Sequence, residues 1–281
     1  KQPQYLIWFY DLPGRVEDTN GVVYTSPSYY LHTAVPNYQP YVTCINMRTT
    51  NDCKAYIDKL AAFGTNNSLF ISASQGGYGN TNYVLDNLRH GTGYGIPGYD
   101  ANYSSSAAIS AATNELNAAG VSTSAIRFFD GLETLSNGIP INLPHPAGLT
   151  NPAGYACWGA HSSLGDKYAT NGAVNLGGQS KWWIIQTIES YNGQRDNPYT
   201  GQSNFLHWFS PNAFGGTDYS NTPIGAVSHV HEPGLGGVNR AAVYFACWAV
   251  GKHFGIASWV SRNKVDGTDY LQAIGDPFVK R

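Results

Sequence analysis

Short apolar runs of strand length alternate with longer segments that carry a helical stripe, and glycine marks most of the changes between them. This alternation restricts the chain to an α/β architecture more firmly than any other feature does. Residues 5–10 (YLIWFY) read as a buried strand that ends in the turn DLPG. Residues 69–74 (LFISAS), 125–129 (AIRFF), 154–159 (GYACWG) and 224–231 (IGAVSHVH) read as further strands, and residues 269–279 as a last strand or extended segment. A helix is expected over 52–63, where Asn51 or Asp52 caps the start, Ala55, Ile57, Leu60 and Ala61 face inward, and Gly64 stops the helix. The Ala-rich stretch 105–119 ends at Gly120 and reads as a second helix. Residues 179–190, containing KWWIIQTIES, read as a third, and 238–260 as a long helix broken or kinked near Gly251 and Gly255.

Such an order predicts a mainly parallel sheet with helices on both faces, with functional groups gathered at the carboxyl ends of the strands. The loops to watch therefore follow Tyr10, Ser74, Phe129, Gly159 and His231. Three Gly-, Tyr- and Asn-rich segments, 14–41, 76–104 and 132–152, are expected to be long loop insertions over the sheet. No repeat, linker or composition break divides the 281 residues, so one domain over 1–281 is expected. A strand-like run so soon after Lys1 leads to the further expectation that an upstream N-terminal portion, or a cleaved precursor segment, belongs before this sequence.

Charge narrows the partners. Only 12% of residues are charged, against about 25% in an ordinary soluble domain. Gly (32), Tyr (20) and neutral polar residues stand in their place, a balance that suits a secreted, extracellular protein. The net charge is −2 and no basic stripe exists, so nucleic acid is not an expected partner. The longest apolar run, 241–250, is too short to span a bilayer. Cys44 and Cys53 flank the polar loop INMRTTND, and the reading favours a disulfide between them over free thiols. Cys157 and Cys247 sit in apolar stretches, as buried thiols or a second bridge.

Two constellations carry candidate chemistry. In SHVHEP, residues 228–233, His229 and His231 alternate on a strand and so share a face, which is half of a divalent-metal site, and Glu232 opens the turn. In CWGAHSS, residues 157–163, His161 stands four residues after Cys157 at another strand end. A hydrolytic centre would combine His161, His229 and Glu232, with His229 and His231 as metal ligands. The carboxylates Asp130, Glu133, Asp166, Glu189, Glu232 and Asp276 are further acid–base candidates, and sequence alone does not say which two meet. Of the aromatic clusters, Trp182-Trp183 and residues 205–209 are placed on helices, with Trp183 in the core. Trp208 is left open between core and a sugar-stacking surface.

As a set, residues 5–16 (YLIWFYDLPGRV), 41–60 (YVTCINMRTTNDCKAYIDKL), 154–163 (GYACWGAHSS), 225–233 (GAVSHVHEP) and 274–278 (IGDPF) carry a resemblance. Their order resembles an uncharacterised family of secreted bacterial proteins whose α/β core is similar to the caspase- and gingipain-like peptidases. The resemblance implies that fold and attaches no activity to it. Gingipain-like enzymes place a His-Gly after one strand and a nucleophilic Cys after the next. Here His161 stands in the first place but is followed by Ser162; residues 172–180 hold no cysteine, and Ser180 is the nearest substitute.

Three functions remain in play. The favoured expectation is a non-catalytic extracellular subunit of a surface layer or filament, associating with itself or with another extracellular protein. The alternatives are a secreted hydrolase, peptidase-like or metal-dependent, and a carbohydrate-binding module that uses Trp208.

Overall fold

The computed structural model describes residues 5–9, 26–34, 39–63, 81–86, 106–129, 150–157, 159, 169–170, 172, 174–178, 180–195, 201–263 and 270–281. Among the described residues eight strands run in chain order: β1 (Tyr5–Phe9), β2 (Tyr41–Ile45), β3 (Asn82–Asp86), β4 (Ile126–Phe129), β5 (Pro152–Cys157), β6 (Ile184–Thr187), β7 (Gly225–His229) and β8 (Leu271–Gly275). They form one sheet in the order β1-β2-β8-β7-β6-β5-β3-β4. The pairs β1/β2, β3/β4, β3/β5, β5/β6 and β6/β7 are parallel, and β8 runs antiparallel to β7. Cys44 opposite Ile274 joins β2 to β8. The α/β expectation, with a mainly parallel sheet, describes the molecule.

The seven α-helices among the described residues are α1 (Pro27–Thr33), α2 (Thr50–Phe63), α3 (Ser106–Ala118), α4 (Phe205–Trp208), α5 (Gly234–Gly237), α6 (Ala241–Ala249) and α7 (Phe254–Val260). Gly154 and Gly225 both register with Ile184, so all three point to one face. On that face a Cβ added to Gly154 would stand 2.5 Å from the Phe245 ring of α6, and one added to Gly225 would stand 2.5 Å from Phe254 of α7. Both helices thus lie directly on strand backbone, an approach that only glycine permits. Tyr56 of α2 covers the other face beside Cys44, and its hydroxyl donates to the Ile224 carbonyl at 2.8 Å. The two faces bury Trp182, Trp183, Trp208, Trp248, Tyr83, Tyr155, Tyr244 and Phe245 almost completely.

Several sequence expectations are corrected. Of the expected helix 179–190, the described residues 180–190 are not helical: they supply β6, because the β-branched Ile184, Ile185, Thr187 and Ile188 suit a strand buried on both faces. Part of the expected insertion 14–41 forms α1, with Ser26 capping Tyr29 N–H at 2.9 Å and Pro27 in the first turn. Part of the insertion 76–104 forms β3, where Tyr83, Val84, Leu85 and Asp86 are all buried. The expected strand 69–74 lies outside the described residues. The break expected near Gly251 in the stretch 238–260 is present: Gly251 takes a φ of 74° and separates α6 from α7. In place of the disulfide expected between Cys44 and Cys53, both are free thiols, as are Cys157 and Cys247. Cys44 points into the sheet–α2 interface, where burial pushes its thiol well above the ordinary value.

Candidate functional site

Chain direction reverses at β3. β4 is added on its outer side, and β5 returns to its inner side. Open α/β sheets present their sites at the carboxyl ends of strands beside such a reversal. Here the two strand ends place Asp86 and Cys157 in register, and Thr187 continues the row on β6. Asp86 is fully buried and accepts a hydrogen bond from Tyr155 Oη at 2.7 Å. Cys157 Sγ accepts from the Gly159 backbone N–H at 3.2 Å.

The next strand end carries the densest polar network. Glu189 is 2% exposed, and its carboxyl group lies over Gly159, where any Cβ would collide with it. Gly159 also has a φ of 73°, so glycine is required there twice over. Glu189 Oε1 accepts from the Ser203 backbone N–H at 2.6 Å. Its Oε2 accepts from Thr187 Oγ1 at 2.6 Å, from Asn192 Nδ2 at 3.4 Å and from the Ser203 hydroxyl. Asn192 in turn donates to Thr187 Oγ1 at 2.5 Å and accepts the His229 backbone N–H at 2.9 Å. One carboxyl group therefore ties together the tips of β5, β6 and β7 and the segment leading into α4. Gln194 donates to the Val230 carbonyl, and Arg195 reaches Asn46 Oδ1 and the Met47 carbonyl at 2.8 and 2.9 Å. These contacts put the end of β2 on the same rim.

Of the sequence-derived histidine–glutamate cluster, His229, His231 and Glu232 lie among the described residues. β7 ends at His229, so the strand alternation that would have put His231 on the same face does not reach it. The His229 ring is fully buried beside the Glu189 backbone and the Asn239 side chain. Neither ring nitrogen has a hydrogen bond of good geometry, and Asn239 Oδ1 and Gln186 Oε1 are likewise unmatched. Burial outweighs the pull of Glu189 and Asn239 and lowers the imidazole from 6.5 to about 4, so the ring is neutral. His231 instead lies against Tyr191 and Tyr270, at ring-centre distances of 5.5 and 4.9 Å. Glu232 is exposed and offers its backbone N–H to His231 Nδ1 at 2.6 Å. No group of three or more His, Cys, Asp or Glu side chains that could hold a metal forms among the described residues. His161 lies outside them.

Of the remaining candidates, Ser180 donates to the Gly177 carbonyl at 2.8 Å, ahead of β6 and so at the opposite end of the sheet. Trp208, left open by sequence, is fully buried in α4 and presents no surface to a sugar. Asp130, Glu133 and Asp166 fall outside the described residues; of the three described candidates, Glu189, Glu232 and Asp276, Glu189 is the one in the network. Asp86, Asn192 and Ser203 were not singled out from sequence. The signal for Asp86 was the apolar NYVL run before it; Asn192 and Ser203 lie in polar loops with no periodicity to mark them.

No family model matches this sequence, and no curated protein matches it. A solved structure described as "Structure of Protease" is similar to it, with a TM-score of 0.49 and 10% sequence identity over 91% of this chain and 59% of that chain. The chain thus spans less than two thirds of that protein. A likeness at this level carries no argument about chemistry.

Proposed function

We propose that the chain is a non-catalytic extracellular protein that works by associating with further copies of itself. The observation that carries this reading is the outer edge of β1. Tyr5, Leu6 and Ile7 are partly exposed, the strand bears no charge, and among the described residues it pairs with β2 alone. An uncharged apolar edge is a template for another strand. The opposite edge, β4, carries the exposed Arg127. Pairing of β1 with β1 of a second copy closes a dimer, whereas pairing of β1 with the β4 edge of the next copy extends the sheet without closure. The network around Glu189 supports the non-catalytic part, since its carboxyl group, two hydroxyls and an amide hold strand tips together. The low charge and high tyrosine content support the extracellular setting.

Light scattering coupled to size-exclusion chromatography, from micromolar to near-millimolar protein, tests this. The mass is expected to rise with concentration in the wild type and to stay monomeric in Ile7→Lys, with unchanged circular dichroism. A wild type that remains monomeric throughout the range overturns the reading.

A hydrolase, peptidase-like in the sense of the sequence resemblance, is the second reading, and one observation favours it. His229 is a neutral imidazole at the end of a central strand, beside the Glu189 backbone and the Asn239 side chain, and a neutral imidazole is the form in which a general base takes up a proton. Hydrolysis of a broad peptide or ester library that disappears in His229→Gln would establish it. Hydrolysis absent from the wild type, or retained in the variant, removes it.

A further inference from the structure

Away from the carboxyl-end network, α2 and the turn 217–220 enclose an open cleft of about 740 Å³. Its position is fixed by residues that precede strands: Lys181 lies three residues before β6, and the turn leads into β7. Lys54, Asp58 and Lys59 of α2 line it together with Lys181, Asp218 and Ser220.

The charges in the cleft are unevenly matched. Lys54 is paired with Asp58 at 2.5 Å, one helical turn away. Lys59 turns to neutral oxygens, donating to the Thr222 carbonyl at 2.8 Å and to its hydroxyl at 2.5 Å. Neither Lys59 nor Lys181 makes an ion pair among the described residues. Burial first, and the Lys181 charge second, bring the Lys59 amine down from 10.5 to about 7. Two like charges facing one cleft disfavour each other until a negative group enters between them.

The opposite wall is rigid and strained. Asp218 and Tyr219 both have positive φ, 49° and 62°, which side chains other than glycine rarely adopt. The turn is fastened at Thr217 N–H to Ser220 Oγ at 3.0 Å and at Ser220 N–H to the Thr217 carbonyl at 3.0 Å. Tyr219 Oη ties it to α2 by donating to Asp52 Oδ1 at 2.9 Å. Strain maintained by surrounding bonds is a feature of ligand clamps.

We propose that this cleft binds the oxyanion group of a small ligand, a phosphate or sulfate, between the Lys59 and Lys181 amines. Lys59 supplies an amine fixed by Thr222 that the ion draws into its ammonium form, Lys181 closes from the exposed side, and the turn that carries Asp218 and Ser220 forms the far wall. The ion replaces the mutual repulsion of the two amines with attraction to both.

Inorganic phosphate, titrated calorimetrically into the intact protein at neutral pH, is the probe, with inorganic sulfate as a second arm. Saturable binding of either ion at one site per chain is expected. Lys181→Ala, an exposed change that leaves the fold alone, is expected to weaken it by about tenfold or more, as loss of a charged hydrogen bond does. Lys54→Ala, whose charge is already paired, is expected to leave it unchanged. Because the ammonium form of Lys59 is stabilised by a bound anion, phosphate is also expected to slow acylation of Lys59, followed by peptide mass spectrometry. Failure of the wild type to bind either ion, or equal binding by Lys181→Ala, overturns the proposal. Neither outcome bears on self-association.

Discussion

If Glu189 is a fastener, its removal must cost stability in an amount that its partners dictate. In Glu189→Ala the Ser203 backbone N–H loses an acceptor at 2.6 Å, and Asn192 Nδ2 loses one at 3.4 Å. The Thr187 and Ser203 hydroxyls can rotate to other acceptors, but the backbone N–H cannot. A buried donor left unmatched costs about 1–3 kcal/mol, and a hydrogen bond to a charged group is worth about 1.5–3 kcal/mol. Ser203 N–H, left unmatched, accounts for about 1–3 kcal/mol, and the weaker Asn192 contact brings the total to about 2–4 kcal/mol. That is a large share of the 5–15 kcal/mol (roughly) that holds a domain folded. Glu189→Gln keeps the shape and the Oε1 acceptor, and the two hydroxyls can turn to accept from the new amide, so it is expected to cost about 1–2 kcal/mol. Urea unfolding followed by tryptophan fluorescence reads both, and melting temperature should fall by roughly 5 °C in the alanine variant. A residue kept for reaction behaves otherwise, since its replacement often leaves stability unchanged or raises it. The reasoning fails if Glu189→Ala lies within about 1 kcal/mol of the wild type, or if the glutamine variant is as unstable as the alanine one.

Other perturbations follow from the same contacts. Gly154→Ala puts a methyl 2.5 Å from the buried Phe245 ring and is expected to cost about 1–3 kcal/mol; adding Phe245→Leu should recover part of it, and additive losses in that cycle would contradict the contact. His229 stays neutral in the folded chain down to about pH 4 but takes a proton near 6.5 once unfolded. It therefore withdraws stability as pH falls from 6.5 towards 4, by about 1.4 kcal/mol per unit, and contributes no slope above 6.5; a urea midpoint whose acid slope is the same in His229→Gln would refute this. Trp208→Ala empties a fully buried site and should cost about 3–5 kcal/mol. A melting temperature that barely moves would return Trp208 to the surface.

The α/β class was legible because it depends on period changes that survive in local sequence. Strands ending at Phe9, Cys157 and His229 were visible as apolar runs with sharp polar or glycine borders. β6 was misread because an apolar run containing two tryptophans fits a buried helix as well as a strand, and only its β-branched residues separate the two. β3 was hidden because its neighbours on both sides are polar and glycine-rich, which made five residues look like part of a loop. The site was legible only as a location, the strand carboxyl ends. Glu189 stood among six equivalent carboxylates because its partners, Ser203 and Asn192, are long-range choices of the fold. The shared face expected for His229 and His231 rested on a strand through residue 231, and β7 ends at His229.

The position of β8 sets an order on assembly. It fills the slot between β2 and β7, yet it is the last of the eight strands to leave the ribosome. The β1–β2 pair and the β3–β7 block can each form from shorter nascent chains, but no strand pairing joins the two wings until residues 271–275 arrive, only side-chain ties such as Arg195 to Asn46 and Tyr56 to the Ile224 carbonyl. Before that, the open flanks of β2 and β7 are unsatisfied edges of the kind that invite wrong partners. Synthesis paused just short of residue 271 should therefore yield two loosely coupled lobes that a protease can separate. A few more residues would lock them into one body.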